Sequence, residues 1–311
     1  MRSCIHLIMI VSTSWMLYMC NSKPNFAITA SNGKIIHLES FQSQFVEPRP
    51  IDIWIPSDYD TAKTYAVVYM QDGQMLFDST LTWTHQEWKA DETMSKLMQE
   101  KSVEDAIIIG IHNTGINRWA EYVPQAILDS LPEDVRTAVI HQWLNDQSKS
   151  DAYLRFIAEE LKPYVDQHYS TNPDRDHTFI MGSSMGGIIS LYALCQYPEV
   201  FGGAGCMSTH WPLNVPGMTD DDPDFDVPSL FINYLDQHLP VPDGHRIYFD
   251  LGTETLDRLY PPYQQKVDAI MEAHGYTSSN WVTRTFPGEE HSERSWAKRL
   301  DVPFQFLLRL N

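Results

Sequence analysis

Phe179-Ile180-Met181-Gly182-Ser183-Ser184-Met185-Gly186-Gly187 is the stretch on which the reading of this chain turns. A short apolar run of strand character enters the pattern Gly-x-Ser-x-Gly, and the helical run 188–197 leaves it. A serine at the apex of a strand-to-helix turn sits on strained backbone, so its neighbours must lack bulk, which Gly182, Gly186 and Gly187 provide. The helix starting behind it directs backbone N–H groups toward developing negative charge. Ser184 is therefore the candidate nucleophile. The plainer alternative is a glycine-rich turn at a helix start.

On either side of this stretch, short β-rich runs alternate with helical ones, the pattern of a sheet covered by helices on both faces. Residues 35–41 and 51–55 read as an antiparallel pair turning around Pro48 and Pro50. The runs 65–70, 106–111, 178–181, 247–251 and 281–286 are continuously apolar, as strands buried on both faces are. Helical patterns cover 91–100, 152–168, 185–197, 261–274 and 292–310. Two long connections remain, and structureless loops of that length usually serve a site. The first, 113–150, places Val135, Val139, Trp143 and Leu144 at helical spacing over 132–146, an inserted helix that walls or covers a cleft. The second, 209–228, carries Asp220, Asp221, Asp222, Asp224 and Asp226, which read as a solvated acidic loop or as oxygen ligands for Ca²⁺.

A nucleophilic serine needs a base, and on a strand–turn–helix scaffold the order along the chain is Ser, acid, His, each partner in a loop after a later strand. His291 follows the last strand run and precedes the final helical run, which makes it the candidate base. Glu254 and Asp257 both lie in the loop after 247–251, and either satisfies the requirement for a carboxylate behind the imidazole. For the oxyanion, one donor is the Met185 amide directly after the nucleophile. The other belongs to the loop after 65–70, Gln71-Asp72-Gly73-Gln74, where Gly73 permits close backbone approach and the Gln74 amide is the candidate; the alternative is a plain turn with Gly73 at positive φ.

Length and composition limit what else the chain can be. With 311 residues, 43% of them hydrophobic and 20% charged, it has ample material for one packed α/β domain and does not read as disordered. Lys plus Arg number 22 against 41 Asp plus Glu, a formal charge of −19, which excludes binding dominated by phosphate neutralisation and so nucleic acid as a partner. Residues 1–30 read differently. After Arg2, the apolar run Ile5 to Met19 has the length of a secretory signal and is too short for a comfortable spanning helix. Leu17-Tyr18-Met19-Cys20 carries the Leu and Cys of a lipoprotein signal with bulky residues between them; cleavage after Ala27 or Ala30 is the rival, and a membrane-tethering segment is the plain alternative. A lipidated Cys20 would anchor the protein in the cell envelope, and otherwise it would be released, secreted or periplasmic. Residues 31–311 then form a single catalytic domain. Cys4 and Cys20 fall in the leader, while Cys195 and Cys206 read as free thiols in a helix and at a following strand end. No zinc-ligand spacing is present, and no metal or organic cofactor is expected.

The segments Arg49-Pro50-Ile51-Asp52-Ile53-Trp54-Ile55-Pro56, Tyr69-Met70-Gln71-Asp72-Gly73-Gln74, Arg118-Trp119-Ala120-Glu121-Tyr122, the Ser184 turn, Ser208-Thr209-His210-Trp211-Pro212, the Asp257 loop and His291-Ser292 are the basis of a family resemblance. From about Gly33 to the C-terminus the chain resembles the putative-esterase branch of the α/β-hydrolases, the esterase D and enterochelin esterase-like proteins, which also holds feruloyl and acetylxylan esterases. That resemblance implies an α/β-hydrolase fold with a mostly parallel central sheet, favours Asp257 over Glu254 and supports Gln74. The stretch between Gly252 and Asp257 is longer than the Gly-to-acid spacing common in the wider superfamily. Asp72 and Gly73, then Arg118, Glu121 and Tyr122 from the insertion, and His210 and Trp211 after the next strand, are candidate substrate-pocket residues, with packing or ion pairing as the alternative for each.

The expectation is a serine carboxylesterase with the triad Ser184, Asp257 and His291, acting on a siderophore lactone, a feruloyl or acetyl ester of a polysaccharide, or a simple short-chain ester. An acyltransferase using the same triad and a non-catalytic binding protein on the same scaffold are the alternatives.

Overall fold

The computed structural model describes residues 28–213 and 227–310. The signal and lipidation readings at Cys20 and Ala27, and the acidic run from Asp220 to Asp226, lie outside the described residues.

The chain opens with β1 (Lys34–Phe41), β2 (Arg49–Ile55), β3 (Ala66–Gln71), α1 (Ala90–Gln99) and β4 (Ala106–Ile111). An insertion of three short helices follows, α2 (Arg118–Tyr122), α3 (Gln125–Asp129) and α4 (Glu133–Trp143). Then α5 (Ser150–Arg155) runs through a π turn at Phe156–Leu161 into α6 (Lys162–His168). The second half is β5 (Thr178–Ser183), α7 (Met185–Gln196), β6 (Gly203–Met207), α8 (Val227–His238), β7 (Arg246–Gly252), α9 (Pro261–Ala273), β8 (Trp281–Phe286), α10 (Glu293–Ala297) and α11 (Asp301–Leu307). The strands form one sheet in the order β1-β2-β4-β3-β5-β6-β7-β8. Both contacts of β2 are antiparallel, and every pairing from β4 to β8 is parallel.

The period-two geometry of a strand divides the apolar runs between two cores. Val67, Tyr69, Ile107, Ile109 and Ile180 face one side, against Phe156 and Ile157 of the π turn, Ile188 and Leu191 of α7, Phe231 of α8 and Val267 of α9. Ala66, Val68, Met70, Ile108, Phe179 and Met181 face the other, against Met94 and Leu97 of α1, Trp296 of α10, and Phe304 and Leu307 of α11. The inner strands β3, β4, β5 and β7 are thus buried at every position because both of their faces are covered. β8 departs from that expectation: it is an edge strand, half-buried, with Arg284 and Thr285 exposed.

Three further elements differ from the sequence reading. β6 has no bounds in that reading because Gly203, Ala204 and Gly205 carry little strand propensity. They are small because a Cβ at Gly203 would sit 2.4 Å from the Arg246 carbonyl, and one at Gly205 2.9 Å from Cβ of Met181. α8 lies where the reading assigns no element. The expected helix over 292–310 breaks between α10 and α11, in the turn that buries Arg299.

The insertion is three helices rather than one because Pro124 and Pro132 stand at the N-caps of α3 and α4, where a residue without an N–H starts a helix but does not continue one. It is fastened to the sheet by an ion pair. Arg49 on β2 donates from Nη1 and Nη2 to the two carboxylate oxygens of Glu121 at 2.9 and 2.5 Å, with both side chains fully buried. The guanidinium also lies 5.1 Å from the Tyr153 ring and 5.2 Å from the Phe156 ring. Glu121 is therefore an anchor of α2 and not a pocket residue, correcting the sequence expectation. Glu121→Ala, which strands a buried guanidinium, is expected to cost about 3–5 kcal/mol in denaturant unfolding, whereas Arg49→Met with Glu121→Leu recovers most of that loss; equal stability of the single variant and the parent would contradict this assignment.

Candidate active site

Because β3, β5, β6, β7 and β8 run parallel, their C-terminal ends deliver five loops to one edge of the sheet, the usual place for a site in an open α/β sheet. Those loops carry Asp72 to Gln74, Ser184, Ser208 to His210, Gly252 to Asp257, and His291.

Ser184 joins β5 to α7 with φ 55° and ψ −122°, a backbone conformation that L side chains rarely adopt. The turn is held by the Ser184 N–H, which donates to the Met207 carbonyl at 2.9 Å. Its glycines are required by close approach: a Cβ on Gly182 would lie 2.8 Å from the Gly186 carbonyl carbon, and one on Gly186 3.1 Å from Cβ of Gln71. Met185 is the first residue of α7, so its N–H has no carbonyl within the helix to bond.

His291 is brought to the same edge and is backed by Asp257, with Nδ1 2.6 Å from Oδ1. Asp257 is fully buried, and its other oxygen accepts from the Gly252 N–H at 2.6 Å and from the Ser208 hydroxyl at 2.5 Å. Burial alone would raise this carboxyl; the hydrogen bonds from His291, Ser208 and Gly252 outweigh it and hold the group below the usual carboxylate range. The Ser208 hydroxyl in turn accepts from Trp296 Nε1 at 3.0 Å and Arg299 Nη2 at 2.7 Å. Arg299 also binds Asp250 at 3.0 and 3.2 Å, which closes a buried network beneath the imidazole. Trp296 meets the His291 ring nearly edge to face, with centroids 5.1 Å apart at 82°.

Of the two acid candidates it is Asp257 that meets the imidazole, while Glu254 is exposed and its carboxylate faces Thr253. The extra length of this loop also has a physical role. Thr253 and Glu254 donate their N–H groups to the Glu289 carbonyl at 3.0 and 3.1 Å, and the Thr255 hydroxyl accepts from the His291 N–H at 2.9 Å. The acid loop thereby grips the histidine loop, so closely that a Cβ on Gly252 would fall 2.1 Å from the Glu289 carbonyl oxygen.

In the loop after β3 the positive φ, 56°, belongs to Asp72 and not to Gly73, which corrects the turn considered from sequence. Gly73 is needed for space, because its Cβ would lie 2.4 Å from the Gly110 carbonyl carbon. Asp72 is held by Arg118 through Nε and Nη2, both at 2.8 Å, by Asn113 Nδ2 at 2.7 Å and by the Tyr122 hydroxyl at 3.3 Å. Burial works against its charge, but these partners, Arg118 first, keep the carboxyl below its ordinary range. The Gln74 side chain accepts from the Asn113 N–H at 3.2 Å, further fixing the loop.

A cavity of about 450 Å³ opens over these groups, lined by Ser184, His291, Gln74, Asp72 and Arg118, with Trp83, Trp88 and Trp296 as apolar walls. Of the remaining residues expected there, none is among those lining it. His210 is 9% exposed and pairs through Nδ1 with the Tyr260 hydroxyl at 2.8 Å. Burial, reinforced by the charges of His291 and Arg118, pushes its pKa down to about 4, so it is a neutral prop. Trp211 is buried, donates to Gln264 at 3.0 Å and packs against Phe249. Tyr122 is buried behind Asp72, and Gly73 lies against the β4 backbone. Side chains around polar loops read alike in sequence whether they face the cleft or support it. Conversely, Trp296 and Arg299 lie in what read as one featureless C-terminal helix, and nothing in their spacing announces them. Ser208 stands in the quoted Ser-Thr-His-Trp segment, which was the available signal for it.

A family model described as "Putative esterase" matches residues 43–308. Among curated relatives, the uncharacterized protein YbbA of Bacillus subtilis is 22% identical over 85% of this chain and 94% of its own length. Ferri-bacillibactin esterase BesA, from the same organism, is 28% identical over 53% of this chain and 56% of its own. Among solved structures, the enterobactin esterase FES from Shigella flexneri, determined in the presence of enterobactin, superposes with a TM-score of 0.62 at 17% identity, covering 90% of this chain and 60% of that one. The match over 43–308, with the fold it accompanies, places this chain in the Putative esterase family, carboxylic ester hydrolases built on the α/β-hydrolase scaffold.

Proposed function

We propose that the protein hydrolyses a small-molecule carboxylic ester through an acyl-enzyme formed on Ser184. The observation that carries this reading is that His291, oriented by buried Asp257, and Ser184, on its strained turn, line one cavity. Ser184 Oγ attacks the ester carbonyl while His291 Nε2 takes its proton. Asp257, accepting from Nδ1–H, fixes the tautomer and stabilises the imidazolium. The amides of Met185, the first residue of α7, and of Gln74, within the short 3-10 turn Gly73–Met75, receive the oxyanion as it forms. His291 then returns the proton to the departing alcohol, and water, activated by the same imidazole, releases the acid and restores Ser184. The kinship with BesA and the fold shared with FES support siderophore esters as one substrate class, and the family resemblance adds feruloyl and acetyl esters.

Ser184→Ala and His291→Ala are each expected to lower kcat by about 10⁴-fold or more on whichever of an aryl, acetyl-sugar, feruloyl or trilactone ester the protein turns over. Ser184→Ala is also expected to abolish covalent labelling by a fluorophosphonate; labelling that persists would place the nucleophile elsewhere. Asp257→Asn should cost about 10⁴-fold in kcat, since it favours the wrong tautomer, while Glu254→Gln stays within about twofold of the parent. Reversal of that order would overturn the choice of acid. Gly73→Ala forces the Gln74 amide away from β4, and a fall in kcat of about 10²-fold is expected, the scale of losing one oxyanion donor.

A further inference from the structure

The charges around the cleft do not balance. Asp72 and Arg118 face each other in a two-point ion pair, so the guanidinium brings no net positive charge to the cavity. Glu293, in the first turn of α10 and two residues after His291, also lines it. Among the described residues no ion pair reaches Glu293, because the neighbouring cations are engaged elsewhere: Arg294 with Glu290, Lys298 with Glu289 at 2.9 Å, and Arg299 with Asp250 at 3.0 Å. A glutamate in a first helical turn complements the helix dipole, which accounts for the residue type but not for a carboxylate bordering the cleft. Apart from Met75, the apolar side chains of the wall are aromatic. Trp88 and Trp296 form the floor, their rings 5.4 Å apart, while Trp83 stands at the mouth 81% exposed. An exposed indole beside a site offers its electron-rich face to what enters, and that face favours a cation. The chain as a whole carries −19, so the long-range field acts in the same sense.

We propose that this cleft selects its substrate by charge, favouring esters that carry an ammonium group near the scissile carbonyl, with Glu293 and Trp83 as the selecting residues. The proposal rests on the reading of Ser184 as the nucleophile and adds the substrate class. Glu293 supplies a negative charge with no ion-pair partner among the described residues, Trp83 supplies a π face, and an anionic group meets repulsion while the Arg118 guanidinium is committed to Asp72.

The test uses three fluorophosphonates that share the fluoride leaving group and differ only in the alkoxy arm: 2-(trimethylammonio)ethyl, its neutral isostere 3,3-dimethylbutyl, and 3-sulfonatopropyl. In each, Ser184 Oγ forms the bond to phosphorus, the P–F bond breaks, fluoride leaves with the electron pair, and the serine proton passes to His291. At low ionic strength the cationic probe is expected to label the full-length protein about tenfold faster than the neutral one and about a hundredfold faster than the anionic one. The spread should narrow in molar salt. Glu293→Gln should shrink the cationic-to-anionic ratio by about tenfold, and Trp83→Leu, which keeps apolar area but removes the π face, should shrink the cationic-to-neutral ratio. Equal rates for all three probes, or ratios unchanged in both variants, would overturn charge selection while leaving the nucleophile in place. No labelling by any probe would overturn the esterase reading of the cleft itself.

Discussion

One buried carboxylate ties the working edge of this protein together. Asp257 accepts from the end of β7 through the Gly252 amide, from the end of β6 through the Ser208 hydroxyl, and from the loop after β8 through His291. A carboxylate removed from water must find donors of comparable strength or lose its charge, so the three loops are compelled to converge on it. Through Ser208 the same network reaches Trp296 and Arg299, and through Arg299 it reaches Asp250. The position of the imidazole is therefore decided by groups contributed from three strands and the helix beyond them, not by its own loop alone.

A second constraint is spatial. The groups aimed at the cavity sit on backbone passing within van der Waals distance of other backbone, and at Gly73, Gly182 and Gly252 a Cβ would fall under 3 Å from a neighbouring strand or loop. Such closeness keeps these segments short and stiff. Stiffness matters there because a donor that is already aimed costs no reorganisation when charge develops. Ser184 and Asp72, two of the non-glycine residues at positive φ, lie in these same segments, and each is locked by hydrogen bonds to adjacent chain. Local strain at the site is thus supported by the surrounding packing.

The insertion between β4 and α5 adds the third wall. It hangs on the buried Arg49–Glu121 pair at one end and on the Asp72–Arg118 pair at the other, so α2 links the outer sheet to the loop after β3 over a single short helix. Adjacent turns of one five-residue helix thereby serve structure and site together. The cleft that results is walled by tryptophans and bordered by Glu293, which has no ion-pair partner among the described residues, and this gives it an electrostatic character distinct from a simple apolar slot.

How much of this is legible in the chain alone follows from the range of the forces involved. The strand–turn–helix at Ser184, the apolar runs of the central strands and the order Ser, acid, His depend on local composition and periodicity, which a linear reading captures; so does Gly73 as a point of close approach. The choice between Glu254 and Asp257 was open on position alone, since both follow the same strand, and was favoured toward Asp257 only by family resemblance; burial against His291 is a property of the folded loops. The roles of Arg299, Trp296 and Ser208, the displacement of Glu121, Tyr122, His210 and Trp211 from the cleft to its support, and the small-residue strand β6 were decided by contacts between segments remote in the chain, up to 91 residues apart. Side-chain direction across such distances is set by packing and by the need to pair buried charge, and neither leaves a periodic trace in the sequence.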